Sequence, residues 1–292
     1  MAPSSTRHAV IIPSTRRPAV LRETVQSVLR QQPLPDQILI VVAAQEDADA
    51  ELGALEHVSV IVGRRGGASQ RNDGLDHLGP DIDFITFLDD DVELAPDYLR
   101  NVREFLLGHA DIALVTGTLL KDGGVTRDEA KKLVDSASLQ PVNHDYHPRS
   151  GVYGNNFSTR RSTAAAVRFD ERFCSYSWLE DLDFGKRCEV YGKSVTYAGC
   201  IAVHLAVTLG RVSGLRMGFS QIMNSCYVHR KGLISRGEML RSLWIPALRN
   251  NLIMLLLFDR KIDRWGRLHG NLLALWLLAR GRCEPEYVER LR

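Results

Sequence analysis

Short apolar runs rich in β-branched residues alternate with amphipathic stretches through the first 120 residues. Val10–Ile12, Ile38–Val42, Val58–Val62, Phe84–Leu88 and Ile112–Val115 read as strands, Val20–Leu29 and Tyr98–Leu107 as helices. This is the βαβ rhythm of a parallel sheet covered by helices. In the first helix Leu21, Val25, Val28 and Leu29 recur at helical spacing, and Pro18 stands at its start, where a missing N–H does no harm.

Between residues 121 and 150 the rhythm stops. Gly123-Gly124, a charged stretch Arg127–Lys132, and His144, Pro148 and Gly151 in a weakly apolar context predict a short helix and a mobile connection. A Gly/Asn segment follows, then an acidic helix around Trp178–Tyr191, a strand over Val195–Val203, and helical patterns to the end. The expected organisation is one α/β domain over residues 1–210 and a basic amphipathic helical tail over 211–292. No internal repeat or low-complexity segment interrupts it. Within the tail, Leu243–Phe258 and Arg264–Leu278 are rich in Leu, Trp and Arg, but the uninterrupted apolar runs are short, Leu252–Phe258 with seven residues and Leu272–Ala279 with eight. A membrane span needs about 20. Trp244, Trp265 and Trp276 beside Arg241, Arg249, Arg260, Lys261 and Arg267 suit helices lying on an anionic membrane surface. Packing on the rest of the chain, or on a second copy in a homo-oligomer, is the alternative.

Composition narrows the class. A length of 292 residues with 45% hydrophobic content can bury a substantial core. The five cysteines form no C-x-x-C pair and no secreted framework, so neither structural zinc nor a disulfide scaffold is expected. The first apolar run, Ala9–Ile12, is closed by Pro13 and is too short for a signal-peptide core, so a cytoplasmic location is expected, with the inner face of the cell membrane open to the tail. The net charge of +2 conceals an asymmetry: residues 1–200 carry 22 Lys and Arg against 29 Asp and Glu, residues 201–292 carry 15 against 6. A basic end of this kind suits anionic lipid or an anionic acceptor, or else is a solvated helical surface. No nucleic-acid partner is expected.

The chemistry concentrates at Asp89-Asp90-Asp91, directly after the apolar strand Phe84–Leu88. Open α/β sheets bind ligands at the carboxyl ends of their strands, and carboxylates this crowded suit a hard divalent cation, Mn²⁺ or Mg²⁺, shared with a substrate diphosphate. The alternative is an Asp-rich turn capping the helix that Pro96 opens. In Trp178-Leu179-Glu180-Asp181-Leu182-Asp183-Phe184, acids stand beside aromatic and apolar groups that can lift a carboxylate toward a working base; an acid-rich surface helix start is equally common. Ser14-Thr15-Arg16-Arg17 brings hydroxyls and cations to the end of the first strand. Gly66–Gly74 permits close backbone approach and supplies Arg71 for a phosphate or an acidic partner, or is a turn into a helix. Neither G-x-x-x-x-G-K-[ST] nor G-x-G-x-x-G occurs, which argues against a P-loop and a dinucleotide site. His204 follows a strand and can ligate a metal through neutral imidazole, although a lone His is more often structural.

Taken in order, these segments resemble the family 2 glycosyltransferases, inverting enzymes with the GT-A fold, over about residues 8–230. Val10-Ile11-Ile12-Pro13-Ser14 is similar to the family's opening strand, Gly67–Gly74 to its Gly/Ala-x-x-Arg-Asn-x-Gly segment, and Phe87–Val92 to the core holding its D-x-D motif. Gly154-Asn155-Asn156-Phe157-Ser158 through Arg160-Arg161 resembles the acceptor-side strand, and Glu180-Asp181 the E-D motif. The resemblance implies a Rossmann-like mixed sheet flanked by helices, with a donor half over about 8–120 and an acceptor half over 121–210. It implies donor contacts from Pro13, Ser14, Thr15, Arg16, Gln45 and Arg71, with Asp89 or Asp90 near the ribose. It places Asp91 and His204 on a divalent metal, acceptor contacts at Asn155, Asn156, Trp178 and Glu180, and Asp181 as general base. The partners implied are a nucleotide-sugar donor, a UDP-sugar before others, and a saccharide or lipid-linked saccharide acceptor.

Two positions depart from the family. Relatives commonly carry V-V-D-x-x-S after the second strand, where this chain reads Val41-Val42-Ala43-Ala44-Gln45-Glu46-Asp47; Glu46 and Asp47 are the nearest substitutes. Lys261-Ile262-Asp263-Arg264-Trp265 only echoes the Q-x-x-R-W of processive relatives, and lies too far beyond Asp181, so addition of a single sugar is expected. A sugar nucleotidyltransferase and a catalytically silent nucleotide-sugar-binding assembly partner are the alternatives. The first should carry a glycine-rich loop with a Lys near strand one, which Ser14–Arg17 does not match; retention of Asp91 and Asp181 argues against the second.

Overall fold

The computed structural model describes residues 6–175, 178–207, 213–256 and 262–291. The chain divides into two compact units. One comprises residues up to Arg65, Ser69–Phe169 and Phe184–Gly210; the other Gly66–Ala68, Asp170–Asp183 and Arg211–Arg292. The division drawn from sequence, at 210, thus differs in that residues 66–68 and 170–183 group with the C-terminal helices. Arg260 and Lys261, counted with the basic face of the tail, lie outside the described residues, as does Phe258.

The first unit is built on a mixed sheet. Strands β1 (Arg7–Ser14), β2 (Gln37–Val42), β3 (Val58–Val62) and β4 (Ile82–Leu88) are mutually parallel in the order β3-β2-β1-β4. β1 and β2 are buried on both faces, which is why they read as continuous apolar runs rather than alternating ones. Beyond β4 the sheet continues through β8 (Asn156–Arg160), β6 (Ile112–Asp122), β9 (Lys193–His204) and β5 (Val92–Leu94), with β7 (Tyr146–Pro148) paired to β9. β8 runs antiparallel to both β4 and β6. β8 is the strand that the resemblance of Gly154–Arg161 implies, whereas β5 and β7 carry no strand pattern in the sequence.

Helix α1 (Pro18–Leu29) buries Leu21, Val25 and Val28 as its spacing predicts. The glycine-rich segment is a helix, α2 (Gly67–Asp76), and a Cβ on Gly74 would come 2.7 Å from Ile11 Cγ2 of β1, so only glycine allows this approach. α3 (Tyr98–Gly108) buries Tyr98, Leu99, Val102, Phe105 and Leu106. Asp89–Asp91 do not cap it: β5 intervenes and Asp97 takes the N-cap position. The helix expected after residue 121 is α4 (Arg127–Ser138), started by a capping box between Thr126 and Glu129. α5 (Arg161–Val167) follows β8 directly. α6 (Glu180–Cys188) carries acids in its first turn and Lys186 and Arg187 in its last, complementing the helix dipole.

The second unit contains α7 (Gly214–Arg230), then α8 (Arg236–Glu238), which runs through a π-helical turn, Met239–Trp244, into α9 (Ile245–Leu256), and α10 (Arg264–Ala279). Its core gathers Phe219, Ile222, Met223, Ala274 and Leu277. α7 and α10 touch through glycine: a Cβ on Gly218 would lie 1.9 Å from the Arg267 carbonyl oxygen, and one on Gly270 2.1 Å from that of Leu215. Among the described residues no helix is long and apolar enough to cross a membrane.

Candidate functional site

The order β3-β2-β1-β4 reverses direction at β1, so the carboxyl ends of β1 and β4 open at a topological switch point. Three chain segments meet there: the turn after β1, the acidic run after β4, and the end of β9.

Asp90 ties the first two together. Its carboxylate receives Ser14 Oγ–H at 2.5 Å and pairs with Arg17 at 2.5 Å, while Thr24 Oγ1 donates to its backbone carbonyl at 2.7 Å. It is only 1% exposed. Burial raises its pKa to about 7 against the opposing pull of Arg17 and Ser14. Both Asp90 oxygens being engaged, the accessible carboxylate of the pair expected near the ribose is Asp89, whose side chain is 34% exposed and pairs with Arg71 at 3.0 Å. Desolvation raises the pKa of Asp89, with Arg71 working against it.

Asp91 faces the other way. Its Oδ2 accepts the Val207 N–H at 2.8 Å and its Oδ1 lies 3.1 Å from His204 Nε2. Burial alone would raise its pKa, but His204, Arg17 and the Val207 N–H outweigh burial and lower it. His204 stands opposite Val92 of β5 and Asp122 of β6. Its Nδ1 faces Asp122 Oδ1 at 2.7 Å, and Asp122 Oδ2 accepts the Tyr153 hydroxyl at 2.7 Å. Burial pulls the imidazole pKa down, yet Asp91 and Asp122 overcome it and lift it to about 9. Ligating atoms of Asp89, Asp91 and His204 all lie within 4.8 Å of one another. Two carboxylates and an imidazole oriented by a further carboxylate are a donor set that fits Mn²⁺ or Mg²⁺.

Around this cluster, Asp47 is buried and accepts the Arg16 N–H at 2.8 Å and the Thr15 hydroxyl at 3.4 Å, whereas Gln45 and Glu46 are exposed. Of the two substitutes expected after β2, Asp47 is the one joined to the turn after β1. Pro13 is half-buried opposite Val41. From α2, Gln70 Nε2 donates to the carbonyls of Ser14 at 2.8 Å and Val41 at 2.7 Å, and the Arg71 guanidinium lies 5.5 Å from the Phe169 ring centroid. Asn155 and Asn156 are buried at the start of β8: Asn156 pairs with Leu88, and the Asn155 carbonyl accepts the Asp89 N–H at 3.0 Å.

Trp178, Glu180 and Asp181 belong to the second unit. Asp181 is half-buried in the first turn of α6, its Oδ1 accepting the Leu182 N–H at 2.8 Å; Glu180 is buried. The Trp178 carbonyl accepts Asn224 Nδ2 at 2.8 Å. Asp183, fully buried on the same helix, pairs with Lys231, whose ammonium also reaches Asp170 at 2.9 Å. The Tyr227 hydroxyl donates to Asp170 at 2.8 Å. Asp122, beside His204, and Lys231, beside Asp170 and Asp183, are not marked by the sequence. Neither sits in a motif, and only strand register and helix packing reveal them.

A mixed α/β sheet flanked by helices, with an Asp/Asp/His cluster at its switch point, matches the GT-A fold. The model of the family "Glycosyl transferase family 2" matches residues 9–171, more than half of the chain, and the chain belongs to that family. No curated protein sequence matches it. Among solved structures it is similar to GalNAc-T7 with UDP, GalNAc and Mn²⁺ (TM-score 0.60, 13% identity, 98% of this chain and 57% of that one). It is similar also to the mannosyltransferase PcManGT from Pyrobaculum calidifontis in complex with GDP-Man and Mn²⁺ (0.56, 15%, 99% and 79%). A third is TarS of S. aureus (0.50, 15%, 76% and 40%). At these identities the likeness is one of fold, and the chain spans only 40% and 57% of the TarS and GalNAc-T7 chains.

Proposed function

We propose that the protein transfers a single sugar from a nucleoside diphosphate donor, a UDP-sugar before others, to a hydroxyl of a saccharide or lipid-linked saccharide. The product inverts configuration and serves polysaccharide or glycoconjugate synthesis in the cytoplasm. The observation that carries this reading is the cluster of Asp89, Asp91 and His204. The solved structures of GalNAc-T7 with UDP, GalNAc and Mn²⁺ and of PcManGT with GDP-Man and Mn²⁺ support it.

In this reading Asp89, Asp91 and His204 hold the divalent cation, which when bound would offset the charge of the departing diphosphate. Asp47 and Asp89 flank the nucleoside. Ser14, Thr15 and Arg16 line the turn beside it, and Arg17 pairs with Asp90 and Asp91 and holds them in place. Asp181, assigned by resemblance to the E-D motif, takes the proton from the acceptor hydroxyl. The freed oxygen attacks the anomeric carbon as the bond to the diphosphate oxygen breaks, so the nucleoside diphosphate leaves and an α-linked donor gives a β-linked product. Asn155, Asn156, Trp178 and Glu180 are assigned to the acceptor side on the same resemblance.

The test is release of nucleoside diphosphate from a panel of UDP-, GDP- and dTDP-sugars with Mn²⁺ or Mg²⁺, with candidate acceptors supplied. Metal-dependent release that Asp91→Asn abolishes is the expected result. Pyrophosphate release would favour nucleotidyl transfer instead, and donor binding without turnover on any acceptor would favour a silent binding partner.

A further inference from the structure

Two helices of the second unit each present an apolar stripe away from their packed faces. On α10, Trp265, Leu272 and Trp276 are 60%, 53% and 48% exposed, and their spacing of seven and four residues puts them on one side of the helix. His269, Ala279 and Arg280 share that side and are exposed. The opposite side carries Gly270, Asn271, Ala274 and Leu277, all buried. On α9, Ile245, Leu252 and Ile253 are exposed on one side together with Arg249, and Arg241 in the turn before it extends the same line.

Single exposed apolar side chains need no explanation, but a solvent-facing helix side is ordinarily polar, and here two helices repeat the departure over several turns. The charge of the stripes says what covers them. Neither stripe contains Asp or Glu among the described residues, Arg241, Arg249 and Arg280 lie along them, and residues 201–292 carry 15 Lys and Arg against 6 Asp and Glu. A second copy would bring the same positive charge against itself. An anionic bilayer supplies both complements, acyl chains for the apolar residues and phosphates for the arginines.

We propose that the exposed sides of α9 and α10 dock the protein on an anionic lipid surface, the helices lying in the headgroup plane. Tryptophan is the side chain best suited to that depth, with an apolar ring and a polar N–H. The Arg280 guanidinium already lies 3.7 Å from the Trp276 ring centroid, so the pair can enter as a unit with the cation toward the phosphates. The proposal is independent of the sugar chemistry, since it uses no residue of the Asp89, Asp91 and His204 cluster.

The experiment is flotation of the full chain with phosphatidylcholine vesicles, with and without phosphatidylglycerol, at low and high salt. Binding to the anionic vesicles that weakens as salt rises is expected. Trp265→Ser and Trp276→Ser should each lower partitioning about ten-fold. Arg249→Gln and Arg280→Gln should each lower it about five-fold. Because these side chains are exposed, circular dichroism and donor hydrolysis should be unchanged, which separates lost docking from lost folding. Equal binding to neutral vesicles, or none to either kind, overturns the proposal. So does a dimer in vesicle-free buffer that the paired Trp variants convert to monomer.

Discussion

His8 should set an acid limit on the fold that is unrelated to catalysis. It is 3% exposed on β1, with Nε2 2.8 Å from Thr86 Oγ1, which in turn lies 2.7 Å from Ser158 Oγ. Burial, helped by the charge of Arg103 and opposed by Asp36, lowers its pKa from 6.5 to about 3. The folded chain therefore keeps the ring neutral while the unfolded chain binds a proton below pH 6.5. The unfolded state holds more protons throughout that window, so stability falls as the pH falls from about 6.5 toward 3. At about 1.4 kcal/mol per unit, the step from pH 7 to pH 5 removes about 2 kcal/mol through this one residue. His8→Gln keeps a group that can reach Thr86 and cannot take up a proton. Urea unfolding of both proteins at pH 7 and pH 5 should show the parent losing about 2 kcal/mol more than the variant, other titrations cancelling in the difference. Equal losses in the two proteins would refute the assignment. The result bears on mechanism, because a fall in activity below pH 6 that His8→Gln relieves reports unfolding and not titration of the base.

Four further substitutions probe the site and its scaffold. Asp181→Asn should abolish transfer while leaving metal-dependent donor binding nearly intact, read by product formation and donor titration; full activity would remove Asp181 from the mechanism. Asp122→Asn withdraws the carboxylate 2.7 Å from His204 Nδ1 and should weaken Mn²⁺ binding about 10- to 100-fold, measured by calorimetric titration, with unchanged affinity counting against its orienting role. Gly74→Ala puts a Cβ 2.7 Å from Ile11 Cγ2 and should cost about 1–3 kcal/mol in urea unfolding. Gly108→Ala, with nothing within 4 Å, is the control and should cost nothing.

Much of this protein was legible along the chain. β1, β2 and β4 declare themselves because strands buried on both faces must be apolar without interruption, and α1 because its buried face recurs at the helical period. The acidic run after β4 was legible for a related reason, since carboxylates seldom follow a buried strand unless something compensates their charge. β5 and β7, at three residues each, are too short to carry a period and are strands only because β9 lies beside them. The same limit hid the grouping of residues 170–183 with the C-terminal helices. It also hid the pairing of Asp183 with Lys231, and of His204 with an Asp122 that stands 82 residues away. Asp89 and Asp90 are identical and adjacent, and no pattern separates them. Their division into an accessible carboxylate and a buried anchor comes from Ser14 and Arg17 closing over one and not the other. Periodicity is written in neighbours along the chain, whereas desolvation and ligand geometry depend on which distant segments the topology brings within a few ångströms.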